Sequence, residues 1–212
     1  MEITINETNM KIENGKLIIN IDSNLEKLLG IGKVELCKVE PGQVIKSAIG
    51  DEYIVLEQYG DMGTKVIRKE LLSERKEFDS NNNNFATSDI RNYLNDEYYN
   101  EELVPGFGEG NIIDHDINLL SLDGYDDYGN CSVKVGLLTI DDYRKYHKNL
   151  LKDNMDSWWW LSTPDSTPSG YGDDCVLCVD SDGFVDCGGC YYNGGVRPDL
   201  ILKSNIFVSI AK

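Results

Sequence analysis

The sequence predicts an α+β fold, with two helices among antiparallel strands and a small β region ahead of them. Three observations carry this prediction. Strand-like apolar runs outnumber helical ones and are scattered along the whole chain. A hairpin signal opens the chain, and a tight Gly-containing loop joins two later strands. Two stretches combine an N-cap residue with apolar positions at helical spacing.

The elements follow in order. MKIE and KLIINI flank Asn14-Gly15, whose residues tolerate the positive φ of a type I′ turn, so Ile12 and Leu17 should lie opposite each other. Further strands are expected at VELCKV (34–39), QVIKSAI (43–49), EYIVLEQ (52–58) and TKVIRK (64–69), the last two joined by a loop at 59–63. Asn81 to Asn84 read as a polar loop. Thr87, Ser88 and Asp89 offer capping oxygens to a helix whose stripe is Ile90, Tyr93, Leu94 and Tyr98, with Pro105-Gly106 ending the segment. INLLSL (117–122) and VKVGLLTI (133–140) are strand-like. Asp141 can cap a second helix carrying Tyr143, Tyr146, His147 and Leu150 on one side. SWWWLSTP, a CVLC…CGGC hairpin, GGVRPDLIL and NIFVSIA complete the strands. A break near 30–33 separates a region at 1–30 from a main domain at 31–212.

The chain of 212 residues is long enough to bury a core without staples. Its formal charge of −17 argues against non-specific nucleic-acid binding and against anionic membrane surfaces. From Asp96 to Asp127 there are ten acidic residues and no Lys or Arg, the pattern of a solvated face. The N-terminus lacks the basic start and apolar stretch of a secretory signal, and no apolar run could span a membrane. Synthesis in a cytoplasm is the expectation, with display on a virion or cell surface by another route.

Cys175, Cys178, Cys187 and Cys190 form a paired CxxC pattern that fits structural zinc by spacing. A hairpin turning at Ser181-Asp182-Gly183 would split the four thiols two and two between its faces. Zinc, disulfides and free thiols stay open, and a zinc-stabilised interaction module is the alternative to the reading developed below. CGGC lacks the βαβ context of a redox motif. His115 and His147 have no nucleophile at recognisable spacing, and the aspartates at 180, 182 and 186 lack the ligand pattern of a calcium loop. No catalytic residue and no cofactor is expected. Trp158 and Trp160 should share one strand face with Trp159 on the other, and at least one indole should be buried.

Residues 162–196 contain no Lys, Glu, Gln, Met or Trp, although the chain holds 15 Lys, 15 Glu, 2 Gln, 4 Met and 3 Trp. Turn chemistry explains the Gly, Asp and Ser, but not the four cysteines and three tyrosines crowded there. Changing only the adenines of the Asn codons AAC and AAT gives Asn, Asp, Ser, Gly, Cys, Tyr, Thr and Val, and never the five missing types. The segment is largely built from that reachable set. This is the composition expected of adenine-specific mutagenesis, as in targets of diversity-generating retroelements.

Four motifs carry a resemblance: ATSDIRNYLNDEYYN, LLTIDDY, WWLSTP and GVRPDL. From about residue 31 to 202 the chain resembles a bacterial and phage family of uncharacterised domains with motifs like N-S-S-x-R-x-W-L-N, L-L-S-I-E-E, W-W-L-R-S-P and G-V-R-P-A-L. It departs at Ser162, where the family has Arg, and at Asp199, where it has Ala. The WW…GVRP pattern also looks like C-type-lectin-like folds of the formylglycine-generating-enzyme kind. The resemblance implies a scaffold whose irregular C-terminal loops form an exposed binding face, encoded by a phage or prophage and binding a protein or surface ligand.

On that reading Tyr171, Tyr191, Tyr192 and Phe184 are aromatic anchors, while Asp173, Asp174, Asp186 and Asn193 supply polar contacts. Cys175, Cys178, Cys187 and Cys190 join the ligand-binding set. The fixed frame would be the three tryptophans with Val176, Leu177, Val179, Val185, Val196, Arg197 and Pro198. Arg197 should be buried and hydrogen-bonded to backbone or carboxylate.

Overall fold

A computed structural model of the chain describes residues 10–13, 16–19, 32–148 and 155–211. The chain divides into Met1–Lys33 and Val34–Lys212. The first unit holds the antiparallel pair β1 (Met10–Glu13) and β2 (Lys16–Ile19), in which Ile12 does lie opposite Leu17. The Asn14-Gly15 turn lies outside the described residues.

The second unit is α+β. It begins within β3 (Lys33–Glu35), whose first residue closes the first unit, and continues with β4 (Val44–Lys46), β5 (Glu52–Gln58) and β6 (Thr64–Arg68). Helix α1 (Asp89–Asn95) follows, then a π-helical turn (Tyr99–Leu103) running into the single turn α2 (Val104–Phe107). Next come β7 (Ile112–Ile113), β8 (His115–Asn118), β9 (Asn130–Val133), β10 (Val135–Gly136) and helix α3 (Ile140–Tyr146). The chain closes with β11 (Trp159–Pro164), β12 (Cys175–Val179), β13 (Val185–Gly189), β14 (Asp199–Leu202) and β15 (Phe207–Ile210).

The main sheet runs β10-β14-β6-β5-β4-β15-β3, with β7 also paired to β14. The pairings of β14 with β6, β6 with β5, β5 with β4 and β4 with β15 are antiparallel. A second sheet, β11-β12-β13, carries the segment of unusual composition, and β8 pairs with β9. Alternation along the strands feeds two apolar clusters. Tyr53, Val55, Trp160, Val176 and Cys178 pack in one, around Phe78, Phe85, Ile90 and Leu94. Ile54, Leu56, Trp159, Leu161, Leu177 and Val179 pack in the other, with Tyr143 and Tyr146 of α3. Central strands of both sheets are therefore buried on both faces, which is why their sequences read as continuous apolar runs.

Several expected elements are shorter than their sequence signal, and side chains explain where they stop. The run 34–39 is a strand only to Glu35; Leu36–Lys38 form a 3-10 turn whose first amides bond to Ile206 O and Ser204 O. The run 133–140 is interrupted at Lys134, where Asn95 Oδ1 accepts from both Lys134 N and Val135 N at 3.0 Å. INLLSL leaves the strand at Asn118, whose Oδ1 accepts from Leu120 N at 2.8 Å. Pro105-Gly106 does not end the helical segment. Pro105 sits in the first turn of α2, where it has no intrahelical N–H bond to lose, and Gly108 at φ 89° ends the turn. Ser88 caps α1 through Arg91 N. Thr139, not Asp141, caps α3 through Asp142 N, and Asp141 lies in the first turn. Leu150 lies outside the described residues. No helix among the described residues is long and apolar enough to cross a membrane.

Candidate functional site

The β12–β13 hairpin closes through a three-residue turn. Asp180 N donates to Phe184 O at 2.8 Å, and at the other end Cys190 N donates to Asp174 O at 2.8 Å. Leu177 therefore opposes Cys187, and Cys178 opposes Asp186. This register puts Cys175 and Cys187 on one face of the hairpin and Cys178 on the other. The four sulfurs cannot converge on one ion without shifting the hairpin register, and among the described residues no group of three or more His, Cys, Asp and Glu could hold a metal. All four cysteines are free thiols.

Only part of the expected contact set faces outward. Tyr171 is 94% exposed, Tyr192 54%, and Tyr191, Phe184, Asp174, Asp186, Cys187 and Asn193 are exposed too. Asp173 and Cys175 are half-buried. Cys178 and Cys190, at 5% and 1% exposure, are core residues packed in the cluster around Trp160. They leave the ligand-binding set, because alternation on a central strand turns Cys178 inward and the Cys190 carbonyl is held by the amides of Phe78 and Asp79. Val185 leaves the buried frame for the opposite reason: on an edge strand it is exposed.

The exposed residues fall in two places. Tyr191 and Tyr192 stack edge-on at 4.7 Å beside the Asp174–Cys190 junction, with Tyr171 three residues upstream of Asp174. Phe184 lies at the far end of the hairpin, beyond the length of β13. Residues 171–175 and 186–193 do meet, through the 174–190 and 175–189 pairings, and the open edge of β13 links that junction to Phe184.

The frame behind them is rigid. Trp160 pairs with Cys178 and Trp159 with Val179, which sends the two indoles into different clusters. Trp158 and Trp160 meet edge-on at 4.7 Å on the shared face. Gly194 passes so close to both that a Cβ there would lie 2.4 Å from Trp158. Arg197 is buried, as expected. Its Nε donates to Arg68 O and its Nη2 to Lys69 O, each at 3.0 Å, and the guanidinium lies over Trp159.

Sequence reasoning missed the residue that holds the presenting loops. Asn83, read as part of a polar loop, is fully buried. Its Nδ2 donates to Ser166 O at 2.9 Å and Cys175 O at 2.7 Å, its Oδ1 accepts from Tyr128 at 2.7 Å, and its amide bonds to Asp173 O. One of four consecutive asparagines gives no signal that it alone points inward. Asp123 is a second support: its Oδ2 accepts from Ser166 Oγ, which in turn accepts from Tyr171 N, each at 2.7 Å. Hydrogen bonds from Ser121 and Ser166 lower the Asp123 pKa.

Electrostatically the site is negative. Burial pushes the Cys175 thiol up to about 11, helped by Asp174, and the Cys178 thiol up to about 12, helped by Asp186 and Asp180. Cys187 and Cys190 are raised by burial and by neighbouring aspartates as well. A raised thiol pKa leaves less thiolate near neutral pH, which makes these cysteines weak nucleophiles. The arrangement offers contact area and hydrogen bonds. No protein-family model matches the chain, and neither a curated protein nor a solved structure matches it.

Proposed function

We propose that the chain is a non-enzymatic ligand-binding protein whose C-terminal face is diversified by a retroelement. The observation that carries this reading is that tyrosines 171, 191 and 192 stand exposed on a backbone anchored by buried tryptophan, asparagine and arginine side chains. Tyr191 and Tyr192 meet ring to ring at the surface, and Tyr with Ser, Gly, Asp and Asn is the mixture that binding loops use for area and adaptable hydrogen bonds. The missing Lys, Glu, Gln, Met and Trp across 162–196 support diversification at adenines. The WWLSTP and GVRPDL motifs, both in the frame behind the exposed residues, support a C-type-lectin-like fold of the formylglycine-generating-enzyme kind. The ligand is a protein or surface group met on display at a virion or cell surface, and the gene belongs to a phage or prophage.

The test is genetic. The gene neighbourhood should hold a reverse transcriptase and a near-copy of the segment coding for 162–198 that differs only at adenines. Sister copies of the chain should vary at exposed positions such as 171, 174, 187 and 191–193, while Asn83, Trp160 and Arg197 stay fixed. A neighbourhood with neither reverse transcriptase nor near-copy overturns the diversification.

A further inference from the structure

Away from that face, the main sheet contains a buried lysine with two carboxylates and no assigned role. Lys65 on β6 pairs with Ile201, so Asp199, two residues along β14, sits diagonally across the same face of the sheet. The Lys65 Nζ lies 3.0 Å from Asp199 Oδ2 and 2.8 Å from Asp142 Oδ2. The Lys65 side chain is 9% exposed and that of Asp199 is 1% exposed. Asp199 Oδ1 has no hydrogen-bond partner among the described residues, and Oδ2 meets the Lys65 ammonium, so the lysine is the full positive charge set against this carboxylate, with the His115 ring also within its field. Asp142 differs: it is partly exposed and, with Lys65, Thr139 and Thr163, lines a cavity of about 380 Å³.

A buried ion pair loses the hydration of both charges, and its conversion to an uncharged form removes that cost. We propose that Lys65 and Asp199 condense into an intramolecular isopeptide bond, with Asp142 as the proton relay. The step balances without a co-reactant. One ammonium proton of Lys65 passes to the Asp199 carboxylate, leaving a neutral amine beside a neutral acid. The amine lone pair attacks Cγ of Asp199, forming the C–N bond. The Asp142 carboxylate accepts a second proton from the nitrogen and delivers it to the departing hydroxyl. The C–O bond breaks and one water leaves through the cavity, while Asp142 returns to its carboxylate form. The product is a secondary amide between β6 and β14, two central strands of the main sheet.

Nothing in this proposal depends on the binding face, and it is read directly from the full chain. The intact mass of the purified, folded protein should be one water below the sequence mass. Proteolysis should release a branched peptide joining Lys65 to Asp199. Lys65→Met and Asp199→Ala should each restore the full mass, and Asp142→Asn should slow the loss of water. Cyclisation at Asp123-Gly124 or Asp182-Gly183 also removes one water, but that product opens in mild base and an amide does not. A full-length mass with separate linear peptides for Lys65 and Asp199, or a water loss that maps to either Asp-Gly pair, overturns the proposal.

Discussion

Asn83 ties three carbonyls of the presenting loops to the frame and accepts a phenol proton, all from a site with no solvent. Asn83→Ala strands the Ser166 carbonyl and the Tyr128 hydroxyl and takes from the Cys175 carbonyl one of its two donors, the other being Asp165 N, and a buried polar group left without its partner costs far more than an average hydrogen bond returns. Urea unfolding of this variant should show a loss of about 2–4 kcal/mol. Asn83→Asp should lose more than Ala at neutral pH, because a carboxylate would then face two carbonyl oxygens in a dry site. His115 makes a second residue-scale prediction, set by proton linkage. Burial holds its pKa below the ordinary value, so the folded protein keeps the ring neutral where the unfolded chain takes up a proton. Its effect is absent well above about pH 6.5 and grows as stability is lost on acidification through that range. The loss in urea midpoint between pH 7.5 and 5.5 should be smaller in His115→Gln than in the parent. An equal loss in both would contradict the burial of a neutral ring.

At the scale of elements, the β12–β13 hairpin has one partnered edge and one open edge. The closing bonds at 180–184 and 174–190 fix the alternation, so Asp186 N–H points toward β12 and Val185 N–H points away from it. A proline at 185 removes a donor that the sheet does not use, whereas a proline at 186 removes a ladder bond. Asp186→Pro should therefore lower the thermal midpoint well below that of Val185→Pro; equal midpoints would mean a different register. This hairpin also shows what the sequence discloses and what it hides. Its turn at 181–183, its thiol split and the opposed tryptophans follow from period-two alternation, which any strand pattern encodes. Burial depends on which sheet edge is covered, so Val185 and Cys178 exchanged places between frame and surface relative to expectation. The strands near 34–39 and 133–140 were cut short by tertiary hydrogen bonds from Ser204, Ile206 and Asn95, which no local window contains. Arg197 was legible because a guanidinium between apolar strands has few other fates, whereas Asn83 and the Lys65–Asp199 pair depend on contacts across the fold.

For the whole molecule, charge gives the clearest expectation. With 37 acidic and 20 basic residues, the chain carries a formal net charge of −17. The ion pairs that could offset this are mostly exposed, such as Lys38–Glu35, Arg144–Asp141 and Lys145–Glu57. Pairs of that kind contribute about 0–1 kcal/mol each and are themselves weakened by salt. Long-range repulsion among unpaired carboxylates is also screened, and the acidic run from 96 to 127 contains no Lys or Arg to divide it. The two effects oppose each other, and the excess of unpaired acids decides the sign. The thermal midpoint should rise as NaCl goes from about 10 mM to 300 mM, over which the Debye length falls from roughly 30 Å to below 10 Å. The Lys65–Asp199 contact, buried or covalent, should contribute nothing to that slope, so Asp199→Ala should shift the midpoint at every salt concentration without changing its dependence on salt. A midpoint that falls with NaCl would mean that the exposed ion pairs outweigh the repulsion.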